Sequence, residues 1–357
     1  MKFCYFHSID HKQLELKDCD FATEEEIEQL KPDIDLERLN QVALDEINKY
    51  RADPCIHDLV SPPSSVSCTA VSSVILGSNS AAQSKSENLA TVCVTSHWDT
   101  NSMKPYMSYQ GAGGRGLINE NVAGPAGKDN IQDFVIIFNQ AELEKFITEM
   151  TYGMMFDDAH ADWGHRYTTV WDEATMVNIG ISWSDNCSAP VIIQHFETPQ
   201  KIIWEEEPNF DGTKITLKGR TSTTVLVEEQ LNVVRIFFES PLKELSYEEL
   251  EKHNGYQVGR NCSYNTDKCL DIAADIWAVP FCAFCPEKPG ETYAETWTTF
   301  DLDGVYNFEI TIDVSSIIEE HGEHGTNGIF TIELWLADED LGNNVFGRNL
   351  YATRVIW

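Results

Sequence analysis

The chain has 357 residues, 42% hydrophobic and 11% aromatic, enough for two domains that each bury a core. Acids outnumber bases by 58 to 25, and the formal charge of -33 argues against nucleic acid and against docking on an anionic membrane surface. Cationic partners, metal ions or basic proteins, fit better. No apolar run reaches the roughly 18 residues that a spanning helix needs. The opening "MKFCYFHSIDHK" lacks the apolar stretch of a secretory signal, so either the protein stays inside the cell or a leader lies outside this sequence.

In chain order, residues 1–33 are read as an acidic, poorly ordered extension. "DLERLNQVALDEINKYRADP" then places Leu36, Leu39, Ala43, Ile47 and Tyr50 on one helix face, with Asp35 as its cap and Asp53-Pro54 as its end. A Ser/Pro loop, "SPPSSVSCTAVSS", leads to a second, Ser-capped helix over "SNSAAQSKSENLATVC". Four glycines in "QGAGGRG" predict irregular backbone. "QAELEKFITEMTYGMM" restores helical spacing through Leu143, Phe146, Ile147 and Met150, and "MVNIGISWSD" and "VIIQHF" read as strands. From residue 199 onward, β-rich runs separated by turn signals predict an all-β sandwich or barrel. They are "TKITLKG", "TTVLVEE", "VVRIFFES", "TWTTFDL", "YNFEITIDV", "IFTIELWLAD" and "YATRVIW". The expected organisation is therefore α+β, with an extension over 1–33, a first domain over 34–198 and a β-sandwich over 199–357.

The ten cysteines leave the redox compartment open. Cys262, Cys269, Cys282 and Cys285 fall close together, but the apolar "PFCAFC" setting favours disulfides or buried thiols over a zinc ribbon. "HGEHG", with His321 and His324, reads as a Gly-rich turn, and "DEDLGNN" as a hairpin loop without EF-hand spacing. The sequons at Asn186 and Asn261 matter only for an exported chain.

Chemistry concentrates in three segments of the first domain: "SHWDT" with His97, "NENVA" with Glu120 and "WGHRYTTVW" with His165. Imidazole with carboxylate is a ready unit for binding a divalent metal or moving a proton. "SENLA", with Glu87, imitates the Glu-Asn motif but lies within the second helix and before His97. His165 stands in a nine-residue run without an acid of its own, so its carboxylate must come from elsewhere. Trp163, Tyr167 and Trp171 read as packing residues.

The order of these motifs resembles the superfamily of cysteine-rich secretory proteins, antigen 5 and plant pathogenesis-related proteins, the CAP superfamily. "NKYR" supplies Asn48 and Arg51; Ala82, Gln83, Cys93 and His97 follow the second-helix pattern; then come "NENVA", "GHRYTTVW" and "VNIGIS". Two departures stand out: tryptophan follows His97, and Asn119 replaces a glycine. The resemblance covers residues 36–197 and implies a three-layered α-β-α sandwich whose cleft gathers two histidines and two acids around a divalent metal, zinc above all. By resemblance the set is His97, Glu120, Glu149 and His165, with Glu142, Glu144, Asp157 and Asp158 competing for the place given to Glu149.

The resemblance further implies an extracellular or cell-surface binding module, not an enzyme, that takes a small apolar ligand or a protein partner. A metal-assisted hydrolase using Glu120 or Glu149 as base is the alternative, and an adhesion or surface-layer component the third reading. A cytoplasmic location and any oligomeric state stay open.

Overall fold

The computed structural model describes residues 2–10, 13–21, 23, 25, 29, 31–60, 62, 66–125, 134–185, 187–221, 231–239, 241–252, 255–256, 274–279, 291–302, 305–320, 328–337 and 348–356. "TTVLVEE", "HGEHG", "DEDLGNN", the four clustered cysteines and both sequon asparagines lie outside the described residues. The molecule is mixed α+β and divides into two units: Met1–Gly113 with Ile118–Thr198 and Glu244–Asn254, and Gly114–Leu117 with Pro199–Lys243 and Gly255–Trp357.

In the first unit, α1 (Leu36–Ala52) starts as its sequence dictates, the Asp35 side chain accepting from the Arg38 N–H at 2.9 Å. Leu39, Ala43, Ile47 and Tyr50 are buried on its inner face, whereas Leu36 is exposed. α2 (Ala81–Val92) follows Ser80, whose side chain makes no capping bond. The short α3 (Pro105–Gly111) begins on the proline that suits a first helical turn. α4 (Gln140–Phe156) has a reciprocal capping box between Asn139 and Glu142, and α5 (Gly164–Thr169) is one and a half turns.

The central sheet has the order β3-β6-β7-β4, from β3 (Ile75–Leu76), β4 (Ile118–Ala123), β6 (Met176–Ser182) and β7 (Val191–Glu197). Alternation along β6 and β7 splits the side chains between two cores. Val177, Ile179, Ile181, Ile192 and Phe196 pack with Leu39, Ala43 and Ile47 of α1 and Leu143, Phe146 and Ile147 of α4. Val191 and Ile193 instead pack with Val122 and with Ala82, Leu89 and Ala90 of α2. α2 rests on β6 backbone to backbone: a Cβ on Gly180 would lie 2.1 Å from the Ala82 carbonyl oxygen. Gln83 fixes this contact, its Nε2 donating to the Ile181 carbonyl while its Oε1 accepts the Ile181 N–H.

Residues expected as a loose extension form instead a hairpin of β1 (Lys2–Asp10) and β2 (Gln13–Phe21), with β1 paired in parallel to β5 (Phe134–Ile137). Net acidity obscures the β-forming Phe3, Tyr5, Phe6 and Ile9, and the pairing partner lies far along the chain. The first unit also takes in α6 (Tyr247–Lys252): Leu245 and Leu250 join the core of Leu89 and Trp98, and the Leu245 N–H donates to the Thr100 carbonyl.

The second unit contains two sheets. One has the order β13-β14-β9-β8, from β8 (Ile202–Phe210), β9 (Lys214–Thr221), β13 (Thr296–Leu302) and β14 (Val305–Asp313). The other is β12-β11-β10-β15-β16, from β10 (Leu231–Glu239), β11 (Ala274–Val279), β12 (Glu291–Tyr293), β15 (Ile329–Ala337) and β16 (Arg348–Ile356). One core unites them: Ile215, Leu217, Phe308, Ile310 and Ile312 from the first meet Val234, Ile236, Phe238, Phe330, Ile332 and Leu334 from the second, with Ile317 of α7 (Ser315–Glu320). No helix among the described residues is long and apolar enough to cross a membrane.

Candidate functional site

The motif residues divide into those that build the frame and those that pair an imidazole with a carboxylate. Asn48 Nδ2 donates to the Val74 carbonyl at 2.9 Å and its Oδ1 accepts the Val74 N–H at 2.8 Å. The fully buried Arg51 spreads its guanidinium over the carbonyls of Ser72, Thr169, Trp171 and Ala174. Asn-x-x-Arg is thus a clamp that ties α1 to the chain before β3 and to the end of α5. Arg166 does the same beside His165, donating to the Met155 and Ser67 carbonyls. Two disulfides brace this frame: Cys55–Cys68 closes the loop after α1, and Cys93–Cys187 ties the C-terminus of α2 to the β6–β7 connection.

Glu120, on β4, is the hub of a buried network of charged and polar side chains. Its side chain is fully buried and both oxygens are committed. Lys85 Nζ, on α2, donates to Oε1 at 2.7 Å and to Oε2 at 2.9 Å, and also to the His97 carbonyl at 2.6 Å. His97 Nδ1 lies 2.7 Å from Oε1 and His195 Nε2 2.7 Å from Oε2. β4 and β7 pair in a register that sets Glu120 opposite His195. Burial alone would push the Glu120 carboxyl up, but Lys85 and the hydrogen bonds from His195 and His97 hold it well below the usual carboxylate range. An ionised carboxylate only accepts, so His97 carries its proton on Nδ1 and His195 on Nε2. The His195 Nδ1 then buries a lone pair that meets no hydrogen-bond donor among the described residues.

Burial also pulls the Lys85 ammonium below its ordinary range, against the pull of Glu120. His97 is pushed down by burial, with Lys85 and His165 adding to the effect and Glu120 opposing it. Its neutral ring therefore presents Nε2 as the basic nitrogen, with 15% of the side chain exposed.

His165 obtains its carboxylate locally. Asp158, fully buried in the loop after α4, takes His165 Nδ1 at 2.6 Å on Oδ1, while Oδ2 accepts the His165 and Arg166 N–H groups that open α5. The side chain of His165 is 19% exposed. Asn121 links the two halves, its Nδ2 donating to the His165 carbonyl and to Thr169 Oγ1.

The structure joins His97 to Glu120 directly and pairs His165 with Asp158 instead. Glu149 Oε1 lies 3.6 Å from Lys145 Nζ, one turn earlier on α4. Of its competitors, Glu142 serves the capping box, Glu144 pairs with Arg38, and Asp158 reaches a histidine. Glu87 accepts from Gln83 on the surface of α2, as a solvated helix residue should. Trp163 is buried, Trp171 packs against the core, and Tyr167 is half exposed, not packed away. Sequence reasoning passed over Lys85 and His195; the available signal was a histidine inside the apolar run "VIIQHF", where an inward polar group needs a partner.

The donor set can be tested against a divalent metal. Both carboxylates are spent behind the rings, Glu120 on an ammonium and two imidazoles, Asp158 on a ring and two amides. No group of three or more His, Cys, Asp or Glu side chains able to hold a metal occurs among the described residues. His97 and His165 each turn Nδ1 to a carboxylate, which fixes the orientation of the ring.

No protein-family model matches the chain, and no curated protein matches it. Among solved structures, the chain is similar to the CAP domain of Enterococcal PrgA, at 16% identity over 53% of this chain and 76% of that one, with a TM-score of 0.29. At that score the likeness carries no argument about function.

Proposed function

We propose that the first unit is a binding module of the CAP type, with a three-layered α-β-α arrangement, whose cleft offers His97 Nε2 and His165 Nε2 to a divalent cation such as zinc. The observation that carries this reading is the ring nitrogen used by both histidines: each gives Nδ1 to a buried carboxylate, Glu120 at 2.7 Å and Asp158 at 2.6 Å. Cores on both faces of the central sheet support the layered arrangement. Two imidazoles fill only half of a tetrahedral set, so water, a small ligand or a side chain from a protein partner would complete it. Disulfides at Cys55–Cys68 and Cys93–Cys187 support an oxidising, extracellular or cell-surface setting. The test is titration calorimetry of chelator-stripped protein with zinc. Wild type should bind, and a His97→Ala, His165→Ala double variant should lose binding; equal heats from both proteins would sink the reading.

A hydrolase is the second reading, favoured by the carboxylate–imidazole pairs themselves, which suit general base work. The base would be His97 or His165, because Glu120 is held ionised by three donors and accepts a proton poorly. Turnover of a broad ester and peptide library, lost in His165→Ala and retained in Glu149→Gln, would replace the first reading with this one.

A further inference from the structure

We propose that Lys85 is the resident cation of the cleft: its ammonium occupies the place that a metal ion would take against Glu120, and so keeps that carboxylate out of metal coordination. The inference concerns Glu120 alone and stands whether or not His97 and His165 bind zinc. Three oxygens surround Lys85 Nζ, Glu120 Oε1 at 2.7 Å, Glu120 Oε2 at 2.9 Å and the His97 carbonyl at 2.6 Å. An ammonium has three N–H donors, and this cradle supplies one acceptor for each. A carboxylate gripped through both oxygens together with a main-chain carbonyl is also how proteins begin an oxygen-ligand site for a hard cation. Lys85 is 2% exposed and the Glu120 side chain is fully buried, so the two charges neutralise one another away from water.

The lysine has a second effect through geometry. By holding Glu120 ionised and in place, it leaves Oε1 to orient the His97 ring and Oε2 to orient His195. Lys85 is in this sense a positioning residue, two bonds removed from anything the cleft binds.

The experiment compares thermal unfolding of wild type, Lys85→Ala, Lys85→Arg, and Lys85→Met with and without Glu120→Gln, each with calcium chloride and with an equal ionic strength of sodium chloride. A resident cation predicts that Lys85→Ala gains a calcium-dependent rise in Tm absent from wild type and from Lys85→Arg. It also predicts that Lys85→Met alone lowers Tm more than Lys85→Met with Glu120→Gln, because the second change removes the stranded charge. Calcium-dependent refolding of a Lys85→Ala chain that is unfolded without the ion supports the proposal equally. It is overturned if calcium stabilises Lys85→Ala no more than wild type, or if the Lys85→Met, Glu120→Gln pair is as unstable as Lys85→Met alone. Zinc calorimetry on wild type is a separate readout: its failure removes the imidazole site and leaves this comparison intact.

Discussion

The two carboxylate-backed histidines, His97 and His165, are built in opposite ways. Glu120 meets His97, His195 and Lys85 across 23, 75 and 35 residues of chain, so its network exists only when α2, β4 and β7 are assembled. Asp158 meets His165 across seven residues, within one loop that also caps α5. The first arrangement is a tertiary product with its own internal charge balance, and the second is a local turn that folding of the neighbouring helix nearly completes. The contact of Nδ1 with a carboxylate, common to both, does not reveal which of them depends on the whole fold.

The comparison can be broken most severely at Glu120. Glu120→Ala strands a buried ammonium and should cost about 3–5 kcal/mol in urea unfolding; a loss below about 1 kcal/mol would mean that the network contributes little. Replacing Cys93 and Cys187 by serine frees α2 from the β6–β7 connection, and should cost about 2–4 kcal/mol while leaving the Asp158–His165 loop intact. NMR shifts of the His165 ring would report whether that loop persists. Asp158→Asn, which turns an amide N–H toward donors, should cost only about 1–2 kcal/mol and perturb His165 without moving His97.

Acid offers a milder way to unbalance the two. The His97 pKa is depressed below its ordinary 6.5, so below that pH the unfolded chain binds a proton that the folded one refuses, and stability falls as pH falls. Glu120, depressed below its ordinary 4.5, adds a second loss under that value. Chemical denaturation across this range should show the first step shrinking in His97→Gln. At the bottom of the scale, Glu149→Gln touches only a surface pair with Lys145 and should change stability by less than about 0.5 kcal/mol, and zinc affinity not at all. A zinc defect in that variant would return Glu149 to the metal set.

Much of the scaffold was legible because its signals are local. Asp35 caps α1, Leu143, Phe146 and Ile147 mark the inner face of α4, and the Val- and Ile-rich runs of β6 and β7 read as strands. Motif order singles out His97, Glu120 and His165. It does not single out Lys85, since a lysine in "SKSENLA" is indistinguishable in sequence from a solvated helix residue until β4 brings a carboxylate beneath it. Asp158 stood among several acids near α4, and only the turn through Asp162 and Trp163, both at positive φ, aims it back at His165. β1 and β2 were hidden because strand pairing with β5 is a long-range choice that acidic composition does not report.

The bare backbone contact between Gly180 and Ala82 sets how high α2 rides above the sheet, and Lys85 leaves that helix less than one turn further on. Even the single methyl of an alanine at position 180 would act as a shim, lifting the helix and lengthening the reach from its ammonium to β4. A glycine that touches no ligand thus governs the electrostatics of the cleft.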